Sequence, residues 1–214
     1  MDTNSPIRIS PPGDSQPRQA PLPTDFALRW ESPFDRVDGR PKVTVFLTQP
    51  SYAHIHVHAA SDMQNEVGGV LVGQSCVDTR SGEPFLVIEN VLAARYTRHS
   101  NVYLTFTQDS LVHFHEMVEK RCAGKQIVGW YHTHPRMGIF LSHYDTWLHE
   151  NFFPEAWQVA LVVEPHSLQA GFFIRQADGR LDPRHYYGFY EMNGCIGRSA
   201  VHWQNLTPIG GESE

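Results

Sequence analysis

Apolar positions recur along this chain with two periods, and the alternation between them predicts most of the elements. Residues 42–48 set Val43, Val45 and Leu47 against Lys42, Thr44 and Phe46, which predicts a strand with at least one apolar face. Gln49-Pro50-Ser51 ends it. Pro50 suits a first helical turn, and Tyr52, Ile55 and Ala59 fall on one face of a helix over residues 51–63, although Ile55 and Val57 also fit a strand. Residues 66–73 form a compact apolar strand with Glu66 at its head, residues 74–84 read as a turn region, and residues 85–94 are a second apolar strand in which Asn90 marks a bulge. Residues 95–104 are polar and read as a flap or loop. A helix follows from the cap at Thr107-Gln108-Asp109, with Leu111, Phe114, Val118 and Cys122 at steps of three and four before Gly124 stops it. Residues 126–134 are a strand, 142–152 a short helix, 156–164, 169–176 and 184–192 further strands, with a turn at 177–180. This order predicts a single mixed α/β domain with a central β-sheet flanked by helices.

The two ends lack this patterning. Residues 1–24 carry Pro6, Pro11, Pro12, Pro17, Pro21 and Pro23 among polar residues, a composition that cannot offset its ordering entropy, so a disordered tail is expected. Residues 25–40, with Phe26, Leu28, Trp30 and Phe34, are expected to dock on the domain formed by residues 41–192. Residues 193–214 are expected to be a loosely packed extension with a mobile end.

With 214 residues, 41% of them hydrophobic and 19% charged, one well-buried domain is expected. The formal charge of -6, without any cluster of Lys and Arg, argues against a nucleic-acid surface and favours a protein partner or a small substrate. Cys76, Cys122 and Cys195 suggest neither a disulfide framework nor a cysteine zinc site. The absence of a long apolar run or a secretory signal adds to an expectation of a soluble, cytoplasmic protein with no membrane contact.

The chemistry concentrates in residues 132–145. His132 and His134 are two apart, so on a strand both imidazoles face one side, where a single divalent ion can take both. Pro135 stops the strand, and Asp145, in the first turn of the next helix, can return a carboxylate to the same ion. Three ligands leave a fourth position open on zinc, where a water becomes acidic enough for hydrolysis. Ser142-x-x-Asp145 is also a helix capping box, a role compatible with ligation because a cap would orient Asp145.

Taken with Glu66 ahead of its glycine-rich strand, the text Gly129-Trp130-Tyr131-His132-Thr133-His134-Pro135 followed by Ser142-x-x-Asp145 resembles the JAMM (MPN-plus) metalloprotease family. The spacing from His134 to Ser142 and Asp145 matches the family pattern residue for residue over a resemblance covering about residues 40–190. It implies a JAMM/MPN-like, cytidine-deaminase-like fold and one catalytic Zn2+ held by His132, His134 and Asp145. It further implies Glu66 as general base and Ser142 as stabiliser of the oxyanion. Members remove ubiquitin or ubiquitin-like proteins from conjugates, or process their C-termini. Local chemistry alone would leave Glu66 a solvated strand end. After Asp145 the chain reads Thr146-Trp147-Leu148, without the Thr-Gln pair of many eukaryotic members, a departure that bears on the subfamily and not on the metal. Compact length and sparse insertions resemble bacterial members, which can accompany ubiquitin-like conjugation enzymes, sometimes in antiviral defence.

Alternatives of other classes are a non-cleaving module that binds a ubiquitin-like protein, and a metalloamidase acting on sulfur-carrier proteins or small peptides. Zinc-dependent deamination is disfavoured because no Pro-Cys-x-x-Cys occurs. His54, His56 and His58 alternate, but no carboxylate or cysteine completes a ligand set, and they read as surface or partly packed side chains, as His113 and His115 read as structural. Gly210-Gly211 resembles a processing site for a ubiquitin-like tail and reads as coincidence in a flexible end.

Overall fold

The computed structural model describes residues 16–35, 41–94, 108–192 and 198–209. In chain order its elements are β1 (Arg18–Ala20), a 3-10 turn (Thr24–Phe26), β2 (Ala27–Glu31), β3 (Thr44–Thr48), α1 (Gln49–Ser61), β4 (Gly68–Asp78) and β5 (Pro84–Ala93). There follow α2 (Gln108–Arg121), β6 (Gln126–Thr133), α3 (His143–Phe152), β7 (Val159–Glu164), β8 (Gln169–Phe173), β9 (Phe189–Met192) and β10 (Thr207–Ile209). The strands make one mixed sheet in the order β10-β2-β9-β3-β5-β4-β6-β7-β8, with β1 beside the far end of β4. The single mixed α/β domain expected from the alternation is present. No helix among the described residues is long and apolar enough to cross a membrane.

Near-continuous apolar runs suit β4, β6 and β7 to interior places in the sheet, each with a strand on either side, since a strand covered on both faces needs no polar alternation. Val70, Leu71, Val72, Val128, Trp130, Leu161 and Val162 are all fully buried. The helices cover this sheet with the stripes their spacing foretold: Tyr52, Ile55 and Ala59 on α1, Leu111, Phe114 and Val118 on α2, and Leu148 on α3. At the ambiguous residues 51–63 the helix wins over the strand, because Thr48 caps its start by accepting from the Ser51 amide at 3.4 Å and Pro50 occupies the first turn. The bulge expected near Asn90 is there: pairing passes from Val72–Asn90 to Gly73–Ile88 and skips Glu89.

Other expectations needed correction. Residues 74–84 are not all turn, since β4 continues to Asp78 with Cys76 buried. Beyond the end of β6 that stretch of β4 has an unpaired side, and Arg18–Ala20 fills it by parallel pairing with Cys76–Asp78. Part of the expected disordered tail is therefore a strand, held by backbone pairing and by Ala20 packed against the small cluster of Phe46, Cys76 and Phe85. The Leu22 amide adds a bond to the Asp78 carboxylate at 3.0 Å. Residues 27–31 do more than dock, for β2 joins the sheet between β9 and β10 and buries Trp30. The expected loose extension is also built in over residues 198–209. Val201, Trp203 and Leu206 are buried, with the Trp203 ring against Tyr52 and Phe189 at 4.9 and 5.4 Å. The buried Glu191 carboxylate accepts from Trp30, Gln49, Ser199 and the Ala200 amide, tying β2, α1 and this segment together. The strand expected over residues 184–192 shortens to β9. The flap at 95–104, the cap at Thr107 and Gly210-Gly211 lie outside the described residues.

Candidate metal centre

The site is carried by β6, between β4 and β7. Close strand packing is possible here because Gly129 has no side chain: a Cβ would stand 2.1 Å from the Val159 carbonyl oxygen. At the upper end of β6, His132 lies level with Gly68 of β4 and Val162 of β7, and the His134 amide donates to the Val163 carbonyl at 2.9 Å. Alternation sends both imidazoles to one side and Thr133 to the other. Thr133 then performs a task that the sequence did not advertise. Its amide donates to the Val67 carbonyl at 2.8 Å, and its Oγ1 accepts from the Val67 amide at 2.9 Å. This two-way bond fixes the residue next to Glu66. After Pro135, Arg136 takes a left-handed backbone with φ 61 and its amide donates to the Glu164 carboxylate at 3.0 Å. Glu164 also accepts from the His166 and Ser167 amides and the Ser167 hydroxyl, so it pins the loop behind His134 to the end of β7.

Residues 142–145 return the chain to the site through a reciprocal cap. The Asp145 amide donates to Ser142 Oγ at 3.1 Å, and the Ser142 amide donates to Asp145 Oδ2 at 2.7 Å. His132, His134 and Asp145 are each no more than 3% exposed. His132 Nε2 lies 2.9 Å from His134 Nε2 and 3.5 Å from Asp145 Oδ1, and His134 Nε2 lies 3.7 Å from Asp145 Oδ2. Glu66 Oε1 is 3.8 Å from His134 Nε2, its side chain only 7% exposed. Glu66 therefore stands beside the ligand group rather than at a solvated strand end. Ser142 reaches the site through Asp145.

This group fits a zinc ion by the chemistry of its donors. Zinc bonds of about 2.0–2.2 Å set tetrahedral ligand atoms roughly 3.3–3.6 Å apart, and the three separations straddle that value. Burial pushes the His132 imidazole below its usual range, which keeps it neutral with a lone pair to give. Burial alone would raise the Asp145 carboxyl, but its close approach to the His132 ring and hydrogen bonds from His132, His134 and Ser142 outweigh it and hold the group ionised, well below the carboxylate range. Among the described residues this is the one group of His, Cys, Asp or Glu with metal-binding geometry. The alternating histidines of α1 stay apart: His54 is exposed, His56 stacks on Tyr52, and His58 Nδ1 bonds the Tyr131 hydroxyl at 2.7 Å.

Two buried histidines at the end of β6 and the Asp145 carboxylate in the first turn of α3, with the Glu66 carboxylate alongside, form a group that could hold one metal ion. Residues 42–154 match the family described as JAB1/Mov34/MPN/PAD-1 ubiquitin protease, and the chain belongs to that family. It is 33% identical over 109 residues to the NAD(+) hydrolase TcpA of Theionarchaea archaeon (strain DG-70-1), a match covering 50% of this chain and 29% of that protein. It is 27% identical over 161 residues to COP9 signalosome complex subunit 5 of Candida glabrata, covering 71% of this chain and 34% of that protein. The chain thus spans about a third of the length of either relative. The solution structure of protein DSY2949 from Desulfitobacterium hafniense aligns with a TM-score of 0.49 at 21% identity, over 66% of this chain and 90% of that one.

Proposed function

We propose that this chain is a zinc-dependent isopeptidase or peptidase that releases a ubiquitin-like protein from a conjugate or trims its C-terminus. The observation that carries the reading is the buried convergence of His132, His134 and Asp145 with Glu66 3.8 Å from His134 Nε2. Membership of a family described as ubiquitin protease supports the substrate class. Zinc held by His132, His134 and Asp145 would supply Lewis acidity at the scissile carbonyl and make a nearby water a better nucleophile. Glu66 takes the proton of the attacking water and passes it to the nitrogen of the breaking amide, so that a carboxylate and a free amine leave. Ser142, whose Oγ accepts from Asp145 and retains its own proton, donates to the developing oxyanion. Service in a bacterial ubiquitin-like defence pathway is part of the proposal.

The test is Glu66→Gln on the zinc-loaded chain, with a panel of ubiquitin-like proteins joined through a Gly-Gly isopeptide bond. Turnover is expected to fall by about 10²–10⁴, the usual worth of a general base, while the zinc content stays at the unmodified level. Undiminished turnover by the glutamine variant would overturn the assignment.

A further inference from the structure

Metal-binding histidines are ordinarily held in place through their second ring nitrogen, by a carboxylate or carbonyl. Here that device is missing among the described residues: Nδ1 of His132 and Nδ1 of His134 are both buried without a hydrogen-bond partner. Something else must fix the plane of the His132 ring. The Trp130 indole, two residues earlier on β6 and on the same side, lies flat against it with centroids 4.6 Å apart and planes 9° from parallel. Phe153 lies along the same indole at 5.9 Å and 17°. Trp130 is completely buried, and its Nε1 proton goes to Nδ1 of His149 at 3.1 Å.

His149 is itself an oddity. It sits on α3 one helical turn after Asp145, fully buried, and no step of the proposed chemistry uses it. Indole nitrogen only donates, so His149 Nδ1 must accept, which places the imidazole proton on Nε2. That Nε2 is buried and has no partner. An unmade buried hydrogen bond is destabilising, a cost that an apolar residue of similar volume would avoid. Packing alone does not account for a histidine here, whereas a required acceptor for the indole proton does.

We propose that His149 is a positioning residue of the metal centre, acting through the Trp130 indole to set the orientation of the His132 imidazole. One helix then serves two ligands: its first turn supplies Asp145, and its second turn holds the platform under His132. The inference rests on the reading of His132, His134 and Asp145 as a metal site.

The test compares His149→Leu, which removes the acceptor, with His149→Gln, whose side-chain carbonyl restores it. Zinc affinity is measured by competition with a chromophoric chelator, and ligand geometry by the visible spectrum of the cobalt-substituted protein. Loss of such a supporting contact typically costs 10–100-fold in metal affinity, so His149→Leu should weaken zinc by about that factor and shift the cobalt bands. His149→Gln should return both toward the unmodified protein. Unmodified affinity and spectrum in His149→Leu would overturn the inference, as would a glutamine variant no better than leucine. Should His149→Leu not fold, Trp130→Phe keeps a ring under His132 but has no proton for His149, and unchanged zinc affinity in that variant overturns the inference equally. His132→Ala separates the two levels: if it binds zinc as well as the unmodified chain does, the metal site is misread.

Discussion

Under the proposed chemistry Ser142 would hold two positions at once, and two substitutions separate them. Its Oγ caps α3 by accepting from the Asp145 amide at 3.1 Å, and its hydroxyl proton is assigned to the oxyanion. Ser142→Ala removes both functions, while Ser142→Gly removes the hydroxyl but leaves a residue nearly as good at an N-cap. Alanine there costs about 0.5–2 kcal/mol and glycine only a few tenths. In a chain of this size about 1 kcal/mol corresponds to roughly 2–4 °C in Tm, so alanine should lower the midpoint by that much and glycine hardly at all. Loss of an oxyanion donor costs about 10²–10³ in kcat. Thermal unfolding and isopeptide turnover, measured on the same preparations, should therefore disagree: the two variants differ in stability yet lose kcat alike. If glycine keeps kcat and only alanine loses it, Ser142 matters as a cap that orients Asp145, and its role in the chemistry is refuted.

Two further outcomes follow from the frame around the site. Gly129→Ala should destabilise by about 1–3 kcal/mol, as overpacking does, because the new Cβ would meet the Val159 carbonyl at 2.1 Å. Strand propensity alone predicts the opposite sign, a gain of about 0.5–1 kcal/mol, so urea unfolding that shows stabilisation would refute the packing argument. The Glu164 carboxyl, pulled down to about 2 from an ordinary 4.5 by bonds from Ser167, Arg136 and His166 against the effect of burial, contributes stability that is complete above about pH 5. That contribution is lost as pH falls toward 2. The stability gap between the unmodified chain and Glu164→Gln should accordingly narrow over that window in urea titrations, and a gap independent of pH would contradict it.

What could be read from the chain depended on how far apart the cooperating residues stand. His132, His134 and Asp145 lie within one short stretch, and strand alternation plus one helical turn suffice to bring them together. Glu66 is joined to them only by the pairing of β4 with β6, so local chemistry left it a strand end and only the family pattern promoted it. Thr133 and His149 carry only faint signals in the sequence. Thr133 falls on the opposite side of the strand from its two neighbours, and His149 follows Asp145 by four residues on one helix face. At the ends, β1 and β10 are three residues each and carry no period. Their places depend on sheet edges made by residues far away, which composition cannot reveal.

Thr133 and the β4–β6 pairing have a practical consequence for anyone handling this protein. The histidines that would grip the ion stand at the end of β6, and Glu66, which would work the water, stands just ahead of β4, the two held together by a two-way bond between Thr133 and Val67. A chain with that seam open could carry a full complement of metal and be inert. Metal stoichiometry is then a poor certificate of a competent preparation, and specific activity per bound ion is the figure by which batches and variants should be compared.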